Sequence, residues 1–386
     1  MKLFKKILFA GFFTVVLANM VIAAESNVLF KSMKQIGMGG AAVAICDDEK
    51  ALYQKPAGLM NITGMKFNLL TLRGGVSTDG ISNYKTISDL LNAKGKTSDY
   101  VSNLIHKLTP SKLGNEFAFE TMAFAWKGFG FGVFGDSRSN IGFLRPSDPY
   151  AKVTSLIDTA AIIGYATPFS FFGITIPNLN IGFAGKYMAR GILYDMNNGD
   201  TTVDYGLGTL IDMFQTSKIA TNCAYAVAQG PAADIGLSLP INLFGATAST
   251  GLTFRNIGAN FTATKTINGV SQKVKVQIPF ESVIGLGLTT PTSFLGVTSV
   301  TWALDYAVIS VDKSFFKNTH LGLEAMVFNW DWLKLRGGLN QGYVVGGVGI
   351  SWGILHLDYA YNQEALGDEV GINSYDYHLI SIGIAN

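Results

Sequence analysis

From residue 116 onward the chain alternates apolar and polar positions with a period of two. At 245–255, Ala246, Ala248, Thr250, Leu252 and Phe254 share one face, and Thr247, Ser249, Gly251, Thr253 and Arg255 the other. At 180–190, Ile181, Phe183, Tyr187 and Ala189 oppose Asn180, Gly182, Lys186 and Arg190. The same alternation sets Leu321, Leu323, Ala325 and Val327 against Gly322 and Glu324, and Leu355, Leu357, Tyr359 and Tyr361 against His356, Asp358 and Ala360. Successive strand side chains point to opposite faces, so each segment has one greasy face and one polar or glycine-rich face. The pattern predicts strands near 65–76, 116–126, 129–137, 153–167, 178–190, 232–239, 245–255, 278–290, 297–309, 319–328, 332–340, 344–352, 354–362 and 374–384. In the last of these the apolar set changes phase between Leu379 and Ile380, which predicts a bulge.

Alternation also suits a soluble sandwich with one wet face. Three features favour lipid instead. Segments run about ten residues, the length of a tilted transmembrane strand. Aromatics gather at strand ends, at Trp126, Phe129, Trp330, Trp332, Trp352, Tyr359 and Tyr361, as interface girdles do. Connections alternate between tight ones (127–128, 329–331, 353) and long ones near 77–115, 191–230 and 256–276, which suits periplasmic turns and outer loops. Composition agrees: only 15% of residues are charged, 44 of 386 are glycine, and 48% are apolar. Past the first two dozen residues no apolar run reaches the ~18 needed for a spanning helix. The expected fold is therefore all-β: a transmembrane antiparallel β-barrel of about fourteen strands, an even number as single-chain bacterial barrels have.

The N-terminus carries Lys2, Lys5 and Lys6, an apolar run over 7–18, and small residues before Glu25. That is the form of a secretory signal peptide over 1–24. Residues 25–64 do not alternate. Gly37 to Leu59 holds a glycine-rich turn, a small-residue run, the pair Asp47-Asp48 and a Pro-Ala-Gly stop. Asp47 or Asp48 can cap a short helix that Pro56 ends. The expected division is a plug segment over 25–64 and the barrel over 65–386. Within the long connections, 81–108 and 207–214 have helical apolar spacing; such helices would either cap the mouth or form a hydrophobic landing patch.

The N-terminal run resembles the signature of the FadL-like outer-membrane barrels, which include long-chain fatty-acid transporters and a PorV-like branch. The matching residues are Gly37-Met38-Gly39-Gly40-Ala41, Asp47-Asp48, Ala51-Leu52-Tyr53 and Pro56-Ala57-Gly58-Leu59. Lys55 departs from it, since the family has Asn there. Arg255-Asn256-Ile257-Gly258, Leu335-Arg336-Gly337-Gly338 and Leu357-Asp358-Tyr359-Ala360-Tyr361 are similar to the PorV-like branch. The resemblance implies a fourteen-stranded barrel in the bacterial outer membrane. Its N-terminal segment would fold inward as a hatch, and a hydrophobic ligand would leave sideways beside a kinked third strand. Gly130, Gly132 and Gly135 make the third predicted strand glycine-rich enough for that kink.

Parity places Lys186, Arg190, Arg255, Glu281, Asp305, Glu324, Lys334, Arg336, His356, Asp358, Asp376 and His378 inside. Paired charges, such as Glu324 with Lys334 or Arg336, would lace neighbouring strands. Alternatively, a cation among Lys186, Arg190, Arg255 and Arg336 would hold a ligand carboxylate. Cys46 and Cys223 lack metal-ligand spacing and read as two inert thiols, with a periplasmic disulfide between them as the alternative. No cofactor or metal is implied. A net charge of +2 without a basic aromatic stripe gives no support for nucleic acid as partner. No serine lies in an elbow motif, and His106 and His320 fall in or near loops, so no catalytic set is expected. Two functions remain open: passive, hatch-gated uptake of long-chain fatty acids or other hydrophobic compounds, or a PorV-like scaffold serving secreted proteins or their secretion machinery. In both, outer-membrane lipid surrounds the barrel.

Overall fold

The computed structural model describes residues 30–171, 174–216, 223–243, 245–292, 294, 296–310, 314–327, 332–365 and 374–386. The expected signal peptide, Trp330 and the tight connection 329–331 lie outside the described residues.

All fourteen expected segments are strands of one closed antiparallel barrel. In chain order the first seven are β1 (Met65–Ser77), β2 (Ser111–Trp126), β3 (Phe129–Leu144), β4 (Tyr150–Phe171), β5 (Ile174–Asp195), β7 (Cys223–Leu243) and β8 (Ala246–Ile257). The rest are β11 (Glu281–Pro291), β12 (Val297–Ile309), β13 (Thr319–Val327), β14 (Leu333–Asn340), β15 (Tyr343–Trp352), β16 (Leu355–Ala365) and β17 (Ser374–Ala385). The wall closes where β17 pairs with β1, from Asn68 opposite Ala385 to Ser77 opposite Tyr377. Three short strands were not expected: β6 (Val203–Gly206), on the edge of β4, and the hairpin β9 (Asn260–Ile267) and β10 (Val270–Gln277), which forms its own two-stranded sheet. Both fall in stretches expected as loops.

The wall is lopsided. β4 and β5 have 22 residues and β7 has 21, whereas β13 to β15 have 9, 8 and 10. At ~3.3 Å per residue the tall strands could run about 70 Å, more than twice the ~30 Å of a hydrocarbon core. They therefore project beyond the membrane at the long-loop end.

Alternation puts large apolar side chains on the outer face. Phe131, Ile163, Phe183, Trp302, Leu304, Leu335, Leu357 and Ile382 are all exposed there. This contiguous apolar band faces lipid, where no water competes for it. Trp126, Phe129, Trp332 and Trp352 ring the short-turn end. No helix among the described residues is long and apolar enough to cross a membrane.

Three local expectations need correction. β17 keeps one register along its whole pairing with β16, with Tyr375, Tyr377, Leu379 and Ser381 buried and Ile380 and Ile382 exposed. No bulge is needed; its tyrosines fill the lumen, and Asp376 and His378 point outward rather than inward. His378 stacks on Tyr359, whose hydroxyl lies 2.8 Å from its Nδ1. Secondly, β3 is not kinked. It pairs continuously with β4 from Phe129 opposite Tyr165 to Leu144 opposite Tyr150. The irregularities lie in β1, at Leu69, and in β2, at Met122, so those two strands bulge together against their neighbours. Finally, the long connections extend less far than expected, because β2, β5 and β7 continue into them.

The helical expectation holds, but not the mouth cap. After the short helix α3 (Thr78–Ser82), α4 (Tyr84–Leu91), α5 (Ser98–Leu108) and α6 (Leu207–Thr216) form with β6 an annex on the outer face of the tall wall. Ile87, Leu90, Val101, Leu104, Ile105 and Leu108 bury against Phe143, Ala151, Val153 and Leu193. Those four strand positions share parity with the lipid-facing Phe131, Ile163 and Phe183, so the annex continues the same face above the membrane.

Candidate functional site

The described part of residues 25–64 lies inside the barrel. Ser32 caps α1 (Met33–Gly37) by accepting from Gln35 N–H at 3.1 Å. Gly39 and Gly40 then take φ of +67° and +92°, which a side chain would strain. A Cβ on Gly39 would lie 2.4 Å from the Leu321 carbonyl oxygen, so this turn touches the wall directly. Asp48 accepts from Lys50 N–H at 3.0 Å just before α2 (Ala51–Gln54), and Pro56 opens a 3-10 turn, Pro56–Asn61. Asp47 is exposed, with Lys34 Nζ 3.8 Å away.

The wall receives this segment through its inward glycines. A Cβ on Gly182 would lie 2.3 Å from Ala57 N, and one on Gly322 2.5 Å from the Met38 carbonyl oxygen. Gly236, Gly285, Gly338 and Gly347 meet Lys55, Ala44, Gly39 and Gly37 in the same way. Gly130 and Gly132, expected to kink β3, instead leave room for Leu52 and Leu59 of the plug, while Gly135 faces outward against the Phe119 ring. Plug backbone and wall backbone thus approach closely over many strands, which side chains on those positions would prevent.

Polar wall residues hold the plug's backbone. Asp305 accepts from Ala42 N–H at 2.7 Å and Val43 N–H at 2.9 Å. Arg255 donates twice to the Gln54 carbonyl, at 3.1 and 2.9 Å. Ser249 donates to Ala44 O at 2.5 Å, and His320 Nδ1 lies 2.9 Å from Gly39 O. His320, second residue of β13 and so near a loop as expected, faces the plug. Tyr53 donates to Glu120, which also accepts from Asn68 at 2.7 Å directly behind the β1–β2 bulges. The Tyr53 ring packs with Phe30 and Phe134 at centroid distances of 5.1 and 5.4 Å.

Lys55, the departure from the family signature, is fully buried and donates from Nζ to Ser238 Oγ at 3.1 Å. Burial holds its pKa below the ordinary lysine value, against the upward pull of Cys46 and Asp305. Cys46 is inert for a related reason: burial pushes its thiol up to about 12, and it is not bonded to Cys223.

The four cations expected as ligand anchors all hold carboxylates. Arg190 makes a two-pronged pair with Asp158, both contacts at 2.8 Å. Lys186 meets Asp234 at 2.7 Å and Arg255 meets Glu281 at 3.0 Å. Arg336 bridges Glu324 at 2.7 Å and Asp358 at 2.6 Å, the expected cross-strand lacing. A second network joins Arg73, Arg138 and Lys31 to Glu116, Asp136 and Glu364 across the lumen, linking β1, β2, β3 and β16 to the start of the plug. Desolvation of these charges is compensated by pairing, and no ligand carboxylate is needed to neutralise them.

Among these charges lie several buried apolar clusters, the largest of them on the side of the tall strands. Leu52 and Leu59 of the plug, Phe134, Ile162 and Met188 of the wall, and Phe261, Val276 and Ile278 at the β9–β10 hairpin belong to one buried cluster. It runs from the plug to the long-loop mouth along β3, β4, β5 and β7. The Arg190–Asp158 and Lys186–Asp234 pairs are set among these apolar residues on the same inward faces of β4, β5 and β7, and sequence alone could not order them, because all read as inward parity.

No family model matches the chain, and no curated protein matches it. Solved structures similar to it include the Pseudomonas putida toluene transporter TodX, at 12% identity and a TM-score of 0.44 over 94% of this chain and 99% of that one. The Ralstonia pickettii toluene transporter TbuX is similar at 11% identity and a TM-score of 0.44, covering 93% and 99%. The CymD monoaromatic hydrocarbon channel is similar at 13% identity and 0.45, covering 94% and 98%. By its own geometry, the chain is an antiparallel β-barrel of fourteen wall strands closed around an inward-folded N-terminal segment.

Proposed function

We propose that the protein admits hydrophobic compounds passively across the outer membrane, with the N-terminal plug as its gate. The observation that carries this reading is the apolar zone joining the long-loop mouth to Leu52 and Leu59 of the plug. An apolar solute gains free energy against the apolar parts of such a lining, at about 25 cal/mol per Å2 removed from water. The lumenal cations Lys186, Arg190, Arg255 and Arg336 already hold carboxylates, which favours uncharged compounds over a fatty-acid carboxylate. The plug would release where Tyr53 leaves Glu120, beside the paired bulges of β1 and β2, rather than along β3. Uptake of radiolabelled toluene and of radiolabelled oleate by cells carrying the protein tests this. Toluene entering faster than in cells lacking the barrel supports it; equal rates for both compounds with and without the barrel would overturn it.

The annex favours a second reading, a scaffold for secreted proteins. It lies on the outer side of the tall wall, away from the lumen, where a ligand pathway has no use for it. Co-purification of a secreted protein that is lost when 78–110 are replaced by a short turn would support this reading.

A further inference from the structure

We propose that the β9–β10 hairpin sits in the place of an uncharged apolar ligand, and that the ligand binds along β7 by displacing it. This inference rests on the uptake reading above and adds the site. The hairpin is bonded in a ladder to no barrel strand. Its buried face carries Phe261, Ala263, Lys265 and Val276, while Asn260, Thr262, Thr264, Lys273 and Lys275 on the other face are exposed. The buried face lies on the inward side of β7, which offers only small residues there: Ala226, Ala228, Gly230 and Ala232. A Cβ on Gly230 would lie 2.7 Å from the Phe261 ring, so this track is shaped for a flat apolar group. The wall supplies no bulk of its own. Removing the hairpin leaves a trough of small residues beside Met188 that reaches toward Leu52 and Leu59 of the plug, with the Lys186–Asp234 and Arg190–Asp158 pairs, already mutually neutralised, set in its wall.

The attachments sit at the hairpin's base and tip. At the base, Asn256 and Gly258 take φ of +61° and +83°, a backbone bend rather than a continued strand. Asn256 is bolted to the Lys186–Asp234 pair: its N–H donates to Asp234 at 2.8 Å, and its side-chain oxygen accepts from Lys186 at 2.8 Å. Arg190 donates to the Gln277 carbonyl at 3.3 Å. Two of the four cations that sequence suggested as ligand anchors, Lys186 and Arg190, thus hold the two base ends of the hairpin to the wall. At the tip, Asn268 N–H donates to Met196 O and Thr266 N–H to Tyr194 Oη, both at 2.8 Å. Between base and tip, Phe261, Ala263 and Val276 pack apolar surface that an apolar ligand can replace, while the buried Lys265 holds the tip side, its Nζ 5.0 Å from the Tyr194 ring and 3.4 Å from Gly199 O.

The test pins the tip. Met196→Cys with Asn268→Cys, in a Cys223→Ser background, allows a disulfide between hairpin and wall. Uptake of radiolabelled toluene is compared in oxidised and reduced cells carrying the same protein. The expected result is a fall on the order of tenfold on oxidation, fully restored by reductant, as for a gating element that cannot move. Equal uptake in both states overturns the displacement site while leaving the uptake reading intact; no uptake by the parent barrel would instead remove the uptake reading itself. A second variant replaces 260–277 with a short Gly-Ser linker, and toluene binding to the detergent-purified, heat-modifiable barrel is measured. Tighter binding is expected once the competing segment is gone; weaker binding would show that the hairpin builds the site rather than fills it.

Discussion

At the residue scale, the plug depends on a few wall side chains that satisfy its backbone. Asp305 is the clearest, since it accepts two adjacent N–H groups, Ala42 and Val43, in a buried place. Asp305→Ala strands both donors, each costing about 1–3 kcal/mol. The expected outcome is a plug cleaved by externally added protease many times faster, in a barrel whose heat-shifted gel mobility is unchanged. Lys55 behaves differently. Its ammonium is buried against one serine hydroxyl, and its stem packs on Gly236. Lys55→Met keeps the stem and removes the desolvated charge, so urea unfolding in detergent should be unchanged or shifted up by about 1 kcal/mol. Lys55→Ala leaves a void and should cost about 2 kcal/mol or more. Loss of stability in both variants alike would show that the charge itself matters.

At the element scale, the pairing of plug and wall is a contact between backbones, and the glycines that permit it sit on one face of their strands. Gly182 and Gly185 in β5 make the contrast measurable. A Cβ at Gly182 would overlap Ala57, whereas nothing lies within 4 Å of one at Gly185. Gly182→Ala should lower stability by about 1–3 kcal/mol and unseat the plug. Gly185→Ala should be neutral or stabilising by about 0.5 kcal/mol, through the unfolded chain. Denaturation midpoints together with protease protection of the plug check both. Period-two reading found all fourteen wall strands because lipid on one side and a packed lumen on the other impose strict alternation. It missed the β9–β10 hairpin because Thr262, Thr264, Lys273 and Lys275 look like loop composition. Their apolar partners, Phe261, Ala263 and Val276, become a face only when seated on β7.

At the scale of the whole molecule, the barrel is a cylinder with one tall side. The apolar band below that side should lie in hydrocarbon, with the aromatic ring of the short-turn end at its border. Trp302 is half exposed near the middle of β12, whereas Trp352 ends β15. In single-tryptophan variants reconstituted with brominated lipids, bromines deep in the acyl chain should quench Trp302 more strongly than Trp352. Shallow bromines should reverse that order. Equal quenching at both depths would contradict this placement of the band.

Taken alone, the sequence determined the compartment of each strand face, the number of wall strands, and the segment that would not join the wall. Those follow from alternation, strand length and the Gly37–Leu59 run, all of which are local in the chain. The FadL-like resemblance added that this segment lies inside. Only the tertiary structure decided which inward charges meet, because Arg190 with Asp158 and Lys186 with Asp234 become neighbours through strand register. It also decided that the helices of 78–110 lie outside the wall and the hairpin inside the mouth. Parity says which way a side chain points from its strand; it is silent on what another part of the chain has placed there.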